Sequence, residues 1–198
     1  MVVRVRRQNA RMAASRRLSN LASIHADLFW VEWLCARFEK ECAASKPDVL
    51  VVAALSAAAI VRYGRVIGTG VRGPVAAPLI ASLGVAHRRT HDRVKVLRDK
   101  WVAHSVNDMD ETRIVVKTMG GNVVHIYEES QAIHSLSLPK IRSLGRLARA
   151  LNRKVGAEIR RERVAVAEHL RRLPPEELAG LEGVAWSRLG KHPDKPRR

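Results

Sequence analysis

The sequence predicts an all-α fold, an antiparallel helical bundle with one inserted β-hairpin. Apolar residues make up 46% of the 198-residue chain, which is enough for one domain with a buried core. Aromatic residues are only 4%, and Ala, Leu, Val and Arg dominate, a composition that favours helices. Apolar side chains recur at helical spacing along most of the chain, and one stretch of strand-like residues interrupts them.

The N-terminal segment is basic, since residues 1–26 contain six arginines and no acid. We expect residues 1–18 to form a basic N-terminal arm or a helix extension, while an organelle transit peptide is the alternative that this composition leaves open. A single helical domain is predicted over residues 19–190, and a basic disordered tail over residues 191–198.

Helices are predicted wherever apolar residues follow a period of about 3.6 residues. The first covers residues 19–44 and ends before a Lys-Pro pair. Asp48 can cap the second helix, residues 49 to about 66, which is apolar nearly all round and should lie at the centre of the bundle. A run of glycines that begins at Gly64 is expected to end it. Three more helices are predicted, over residues 79–103, 139–173 and 176–189.

The stretch around Gly120-Gly121-Asn122 changes character. Ile114-Val115-Val116 precedes these turn residues, and the apolar run 123–127 follows them. Two β-branched runs on either side of a Gly-Gly turn are typical of a β-hairpin. We therefore predict a hairpin over about residues 112–127.

The charge of the chain bounds its partners and its location. A net charge of +17 implies a polyanionic partner, with nucleic acid as the first candidate and an anionic membrane surface as the second. The longest apolar run stops at Arg62 and is shorter than the ~20 residues that span a bilayer, so we expect no membrane partner. Cys35 and Cys42 are too far apart on one predicted helix for a disulfide, which favours reduced thiols and a cytoplasmic location.

Residues 97–105, Leu-Arg-Asp-Lys-Trp-Val-Ala-His-Ser, place Arg98 six positions before His104. Arginine can hold a phosphate with a bidentate guanidinium and histidine can transfer a proton near neutral pH, so the pair suits RNA cleavage without a metal. Chance would give this spacing about once among 27 arginines and 8 histidines, and Arg163 and His169 repeat it. The other interpretation is that Arg98 pairs with a carboxylate and His104 caps a helix end.

Geometry limits how Arg98 and His104 can act together. On a regular helix, residues six apart point about 120° away from each other. The two side chains can therefore converge only if the helix ends or distorts near Ala103, or if they meet across a dimer.

The segment 97–105 resembles the Arg-x(4–6)-His motif of the HEPN superfamily, in which a polar residue, here Asp99, usually follows the arginine. The similarity to the abortive-infection-type branch extends over about residues 20–172, through the long helix before the motif and the order of helix, hairpin and helix around it. The resemblance implies a helical bundle that forms a homodimer, brings two motifs together across a two-fold axis and cuts RNA without a metal or other cofactor. Many relatives act as toxins or antiphage effectors, and others have lost catalysis.

Further residues are candidates for RNA contacts. One group lies on the helix before the motif or beside the motif itself: His87, His91, Lys95, Lys100 and Ser105. A second group forms an arginine stripe on the helix 139–173, which suits phosphate tracking or is a solvated face: Arg142, Arg146, Arg149, Arg153 and Arg160. His87 and His91 have the spacing of a metal-ligand pair, but no third ligand is evident, so we predict no metal site.

The sequence thus predicts a metal-independent endoribonuclease, a toxin or antiphage effector that cleaves RNA through Arg98 and His104 and leaves a 2′,3′-cyclic phosphate. Asp99 either orients these groups or is a solvated helix charge. The alternative is a catalytically inactive HEPN-fold module that binds RNA or an acidic protein, and a DNA-associated structural or regulatory protein is a third interpretation. An acidic antitoxin or neutralising protein is a further expected partner.

Overall fold

The structure is a computed structural model that describes residues 8–9, 13–68, 76–99, 110–132, 135–179 and 182–183. In this part the chain is mostly helical, with six helices and two pairs of antiparallel strands. The predicted helical fold with a hairpin is therefore confirmed. Two compact units divide the chain: residues 20–159 form one, and residues 1–19 with residues 160–198 form the other. The single domain over residues 19–190 stays a prediction, and the tail 191–198 lies outside the described residues.

The smaller unit contains the start of α1 (Ala13–Cys42) and the end of α5 (Leu138–Arg171). Arg17 Nε and Glu162 Oε1 form an ion pair of 2.6 Å between them. In the same unit, the short strand β1 (Gln8–Asn9) pairs with β4 (Glu182–Gly183). Residues 13–18 are thus helical, as in the helix-extension alternative. The predicted helix 176–189 is wrong, because α6 covers only Pro175–Ala179 and residues 182–183 pair as a strand.

The core of the larger unit is built on α1 and α5. Both helices present stripes of fully buried apolar residues at helical spacing, among them Leu21, Ile24, Leu28, Leu144, Leu147 and Leu151. Gly145 lets the two helices approach closely, since a Cβ at that position would lie 3.2 Å from Cys35 Cβ. Burial, with a smaller contribution from Glu39 and Glu32, raises the pKa of the Cys35 thiol to about 12. Cys35 is thus a core residue that stays protonated.

Helix α2 (Val49–Ile67) begins where the sequence predicts. Its cap is confirmed, because Asp48 Oδ1 accepts hydrogen bonds from the backbone N–H groups of Leu50 (2.9 Å) and Val51 (3.2 Å). The predicted end at about residue 66 is confirmed to within one residue. Gly64 is a buried helical residue, and the helix ends at Gly68, whose backbone is extended.

Helix α2 is also long and apolar enough, by length and composition, to cross a membrane, and no other helix among the described residues is. The run that we counted to Arg62 underestimates this length, because the helix continues past two arginines to Ile67. In the structure α2 packs partly into the larger unit, where the buried Ser56 Oγ accepts a hydrogen bond of 2.8 Å from the Leu136 N–H. This packing is compatible with a soluble protein.

The predicted helix 79–103 is two helices, α3 (Ala77–Ala81) and α4 (Val85–Leu97). The chain turns between them over residues 82–84, where the Ser82 side chain donates a hydrogen bond of 2.7 Å to the Leu79 carbonyl. Gly84, with an extended backbone, then begins α4. The prediction of one continuous helix from residue 79 is therefore wrong.

The hairpin is confirmed and is longer than predicted. It pairs β2 (Asp110–Met119) with β3 (Asn122–Ala132), with Val115 opposite Tyr127 and a bulge between Lys117 and Thr118. Gly120 and Gly121 have φ values of 58° and 82°, the left-handed conformation that a two-residue hairpin turn requires and that glycine adopts without strain.

Candidate functional site

Arg98 lies at the C-terminal end of α4, where the regular helix stops. The chain is α-helical to Leu97, and Arg98 and Asp99 continue it in a wider π-type turn. The sequence requires such a departure before His104 if Arg98 and His104 are to converge, and turns of this kind are frequent at functional sites. His104, Lys100 and Ser105 lie outside the described residues, so their place relative to Arg98 stays a prediction.

Two neighbours hold the Arg98 side chain. Its Nη1 lies 2.6 Å from Asp99 Oδ1, and each of the two side chains is 43% exposed. Its aliphatic part lies against α2 at Gly64, where a Cβ would be 2.9 Å from Arg98 Cγ and 3.2 Å from Nε. Arg98 is therefore positioned by the space at Gly64, a glycine of α2, and by the carboxylate of its sequence neighbour Asp99. Sequence reasoning missed Gly64, and only the contact across 34 residues reveals it.

The electrostatic surroundings stabilise the Arg98 guanidinium as a cation. The carbonyl end of α4 carries partial negative charge, which stabilises the guanidinium. A guanidinium has five N–H donors, and the described contact to Asp99 uses the Nη1 side. Because nearly half of the side chain is exposed, a phosphate oxygen can reach the remaining donors from solvent.

About two turns before Arg98, His91 is hydrogen-bonded to α2. Its Nδ1 lies 2.9 Å from the hydroxyl of the fully buried Tyr63, and the two rings pack edge to face. Burial raises the pKa of the Tyr63 hydroxyl, with a smaller contribution from Asp92. Burial also lowers the pKa of His91, against an opposing effect of Asp92 and with a smaller lowering by Lys95. His91 is therefore a half-buried, neutral hydrogen-bonding partner of Tyr63 at neutral pH.

A pocket of about 300 Å³ opens beside His91. Its walls are apolar, and His91 and Lys95 supply its polar groups. The other lining residues come from the end of α2 and from α3: Val66, Ile67, Ala76, Ala77, Ile80 and Ala81. Two of the predicted RNA-contacting residues, His91 and Lys95, thus line one cavity, while His87 is half-buried on the preceding turn of α4.

A buried ion pair that the sequence did not predict joins α1 to α2. Asp27 is buried on α1, and its carboxylate accepts from Arg62 Nη1 at 2.9 Å and lies 3.4 Å from Arg65 Nε. A charged residue on the buried side of an amphipathic helix is the one sequence signal that indicates such a pair. Asp27 fixes the direction of two arginines that are partly exposed.

The arginines of α5 lie beside α1. Arg142 pairs with Glu39 at 2.9 Å and Arg149 with Glu32 at 3.2 Å, and Asn152 donates to the same Glu32 at 3.0 Å. Arg146 donates to Ser143 Oγ at 3.0 Å, and Arg153 is exposed. Two arginines of the predicted stripe therefore already have carboxylate partners. The contacts among described residues join the stripe to α1 and none of them joins it to Arg98.

The part of the chain that the structure describes contains no group of three or more His, Cys, Asp or Glu side chains placed to hold a metal ion. No protein-family model matches the chain, and none of the curated proteins or solved structures with which it was compared does either. The motif and the local geometry around Arg98 therefore carry the functional argument.

Proposed function

We propose that the protein is a metal-independent endoribonuclease of the HEPN type, a toxin or antiphage effector, in which Arg98 binds the scissile phosphate of RNA. The observation that carries this proposal is the position of Arg98. Its guanidinium is held by Asp99 and by the gap at Gly64, and it is nevertheless 43% exposed at a helix end that departs from α-helical geometry. A cation fixed in place before the substrate binds loses little freedom when it takes up a phosphate.

In the proposed reaction the ribose 2′-oxygen loses its proton and attacks the adjacent phosphorus. The bond from phosphorus to the 5′-oxygen breaks, that oxygen takes up a proton, and a 2′,3′-cyclic phosphate and a 5′-hydroxyl remain. Arg98 would stabilise the negative charge that develops on the phosphate oxygens. His104 would take or deliver a proton, a role worth about 10² to 10⁴ in rate for one general acid or base. Asp99 would orient Arg98 through its 2.6 Å contact.

The two proton transfers need two groups that differ in protonation state. One histidine per chain does not readily fill both roles in a single turnover, and a homodimer that supplies His104 twice would do so. We therefore include a homodimer and a cytoplasmic location in the proposal, together with an acidic protein partner that neutralises the basic surface.

One observation favours the alternative, a HEPN-fold binding module without catalysis. The contact between Arg98 and Asp99 satisfies part of the guanidinium, as the non-catalytic interpretation of Arg98 expects. A phosphate would have to bind beside this carboxylate or displace it. In that case the charge of the chain would serve to bind RNA or an acidic protein, and Arg98 would close the end of α4.

The experiment that tests the proposal is cleavage of a labelled single-stranded RNA and of a transfer RNA pool in the presence of EDTA. Wild type should cut and leave a cyclic phosphate, and Arg98→Ala and His104→Ala should each lower the rate by about 10²-fold or more. Arg163→Ala and His169→Ala, which have the same spacing at a second place in the chain, are the matched control and should cut like wild type.

Three results would contradict the proposal. An inactive wild type that still binds RNA would favour the binding module, and loss of cutting by wild type in EDTA would show that the reaction needs a metal. Equal cutting by wild type and by both motif variants would place the activity elsewhere.

A further inference from the structure

Three aromatic rings stand on the solvent side of α1, where a bundle helix ordinarily carries polar residues. Phe29, Trp30 and Trp33 are 55%, 43% and 49% exposed. Their rings form a chain of edge-to-face contacts, with centroids 6.2 Å apart for Phe29 and Trp30 and 5.5 Å apart for Trp30 and Trp33. We call these three residues the aromatic platform. The apolar residues that fill the core are on the other side of the same helix. Packing within the described structure therefore does not account for the aromatic platform.

Cations surround the aromatic platform. The Arg62 guanidinium lies 6.0 Å from the centre of the Trp30 ring, and it is held there by its hydrogen bond to the buried Asp27. Arg37 and Lys40 are exposed on the next turns of α1 after Trp33. The acids of this part of α1 are each engaged with an arginine: Glu32 and Glu39 pair with arginines of α5, and Glu41 Oε2 lies 3.4 Å from Arg37 Nη2.

Aromatic faces next to arginines are the combination that binds single-stranded nucleic acid. Bases stack on the rings in any sequence, because every base has a π face, and the cations follow the phosphates. A duplex would keep its bases stacked inside and leave the rings unused. A protein partner would also be attracted by the rings, but the arginines and the lysine beside them, on a chain of net charge +17, favour a polyanion.

We propose that Phe29, Trp30 and Trp33 form a base-stacking platform that holds single-stranded RNA, with Arg62 and Arg37 contacting its phosphates. The identity of the polyanion as RNA rests on the proposed function, while the platform itself rests on the exposed rings and their cations. Trp33 is the central contact, since its position is opposite to the core side of α1 and it packs against Trp30.

Binding can be measured without cleavage by using a fluorescent oligouridylate whose 2′-oxygens are methylated, because it has no 2′-hydroxyl to attack the phosphate. Trp33→Ala should weaken binding about 5-fold or more, the effect of removing one ring on which a base stacks, and Trp33→Phe should restore most of it. The matched control is Leu50→Ala, an apolar residue 80% exposed at the start of α2, which should leave affinity within about 2-fold of wild type. RNA should also quench the tryptophan fluorescence of wild type more than that of Trp33→Phe.

Four outcomes would overturn the platform: equal affinities of wild type and Trp33→Ala, an equal loss in Leu50→Ala, tighter binding of duplex RNA than of the single strand, or tighter binding of the matching single-stranded DNA. A change of oligomeric state in Trp33→Ala without a change in RNA affinity would also overturn it and would identify the rings as a protein interface. A melting temperature of Trp33→Ala equal to that of wild type establishes that the variant folds.

The same variants separate this inference from the proposed function. Cleavage of unmethylated RNA in EDTA depends on Arg98 and His104, whereas binding of the methylated RNA depends on Trp33. Normal affinity of Trp33→Ala together with motif-dependent cleavage would overturn the platform alone. Motif-independent or absent cleavage together with a loss of affinity in Trp33→Ala would overturn the ribonuclease alone.

Discussion

Gly64 contributes to the position of Arg98 by leaving room for its side chain. The Arg98 side chain crosses α2 where residue 64 has no side chain, and a methyl group there would lie 2.9 Å from Arg98 Cγ. This distance is too short for two carbon atoms, and the neighbouring atom is near the backbone, so the arginine has to turn away. From the sequence we counted Gly64 only as the first of the glycines that end the helix, because a glycine in an apolar run carries no sign of which side chain will cross it.

We expect Gly64→Ala to lower RNA cleavage by about 10- to 100-fold, because a displacement of about 1 Å in a catalytic group has effects of that size. The free energy of unfolding should change by no more than about 1 to 2 kcal/mol, since alanine favours the helix while the contact with Arg98 opposes it. Gly84→Ser is the matched control: no atom of the described residues lies within 4 Å of a Cβ at Gly84, and serine is a favoured N-cap for α4. Cleavage rates and melting curves of both variants measure this, and full activity of folded Gly64→Ala would mean that the position of Arg98 does not matter for cleavage.

At the scale of elements, sequence patterns predicted those features that depend only on residues close together in the sequence. The apolar stripes of α1 and α5, the Asp48 cap and the Gly-Gly turn of the hairpin are local features, and the structure has each of them. The break between α3 and α4 was missed, because the apolar pattern continues across Gly84, whose backbone is extended in the structure. The exposure of Trp30 and Trp33 was not predicted for a different reason, since large aromatic residues are usually highly buried.

Helix α5 also shows that not every arginine of a stripe has an unpaired positive charge. Arg142 and Arg149 have carboxylate partners on α1, whereas no ion pair of Arg146 or Arg153 occurs among the described residues. The partners lie more than 100 residues away in the sequence, so a pattern within α5 could not distinguish the two pairs. Arginines already neutralised in the free protein contribute less to the release of counterions when RNA binds.

We therefore expect two charge-matched double variants to differ in the salt dependence of RNA binding. Arg146→Gln with Arg153→Gln should reduce the slope of log affinity against log salt by about 1.4, or about 0.7 for each phosphate of a single strand that an arginine no longer neutralises. Arg142→Gln with Arg149→Gln removes the same formal charge and should change the slope by less than half as much. Titrations of the methylated oligouridylate at several salt concentrations measure both slopes. Identical slopes for the two double variants would mean that only net charge matters and that the ion pairs to α1 do not.

At the scale of the whole molecule, net charge predicts the class of partner and little about the fold. The value of +17 indicates a polyanion, but it does not indicate where the chain concentrates its accessible cations. The contacts supply part of that information. Acids on α1 pair with Arg142 and Arg149 of α5. Around the aromatic platform lie Arg62, which pairs with Asp27, Arg37, which pairs with Glu41, and the exposed Lys40. Assembly of Arg98 with His104, the central expectation for the site, depends on the conformation of residues 100–104 and on a second copy of the chain. Neither follows from local sequence patterns.

Stability against acid is a property of the folded unit as a whole that a single side chain can dominate. His91 packs between α4 and α2, with Tyr63 hydrogen-bonded to it and with Asp92 and Lys95 as charged neighbours on its own helix. Because burial lowers its pKa in the folded state, the unfolded chain binds the His91 proton more readily. The unfolded state then gains protons as the pH falls below the ordinary pKa of histidine. As the pH falls from the ordinary pKa of histidine to the lowered pKa of His91, the free energy of unfolding therefore decreases progressively. At higher pH, His91 has no such effect.

We expect the free energy of unfolding of wild type to decrease between pH 7.5 and 5 more than that of His91→Gln, because glutamine does not titrate and the variant lacks this one contribution. His91→Gln should be the less stable of the two at pH 7.5, because its hydrogen bond to the buried Tyr63 is lost or lengthened, and the difference should narrow at pH 5. Tyr63→Phe separates the two effects, since it removes the hydrogen bond and keeps the imidazole, so its pH dependence should remain. Urea unfolding of the three proteins at both pH values measures this. An equal decrease for wild type and His91→Gln would mean that His91 titrates alike in the folded and unfolded chain and that other groups set the acid stability.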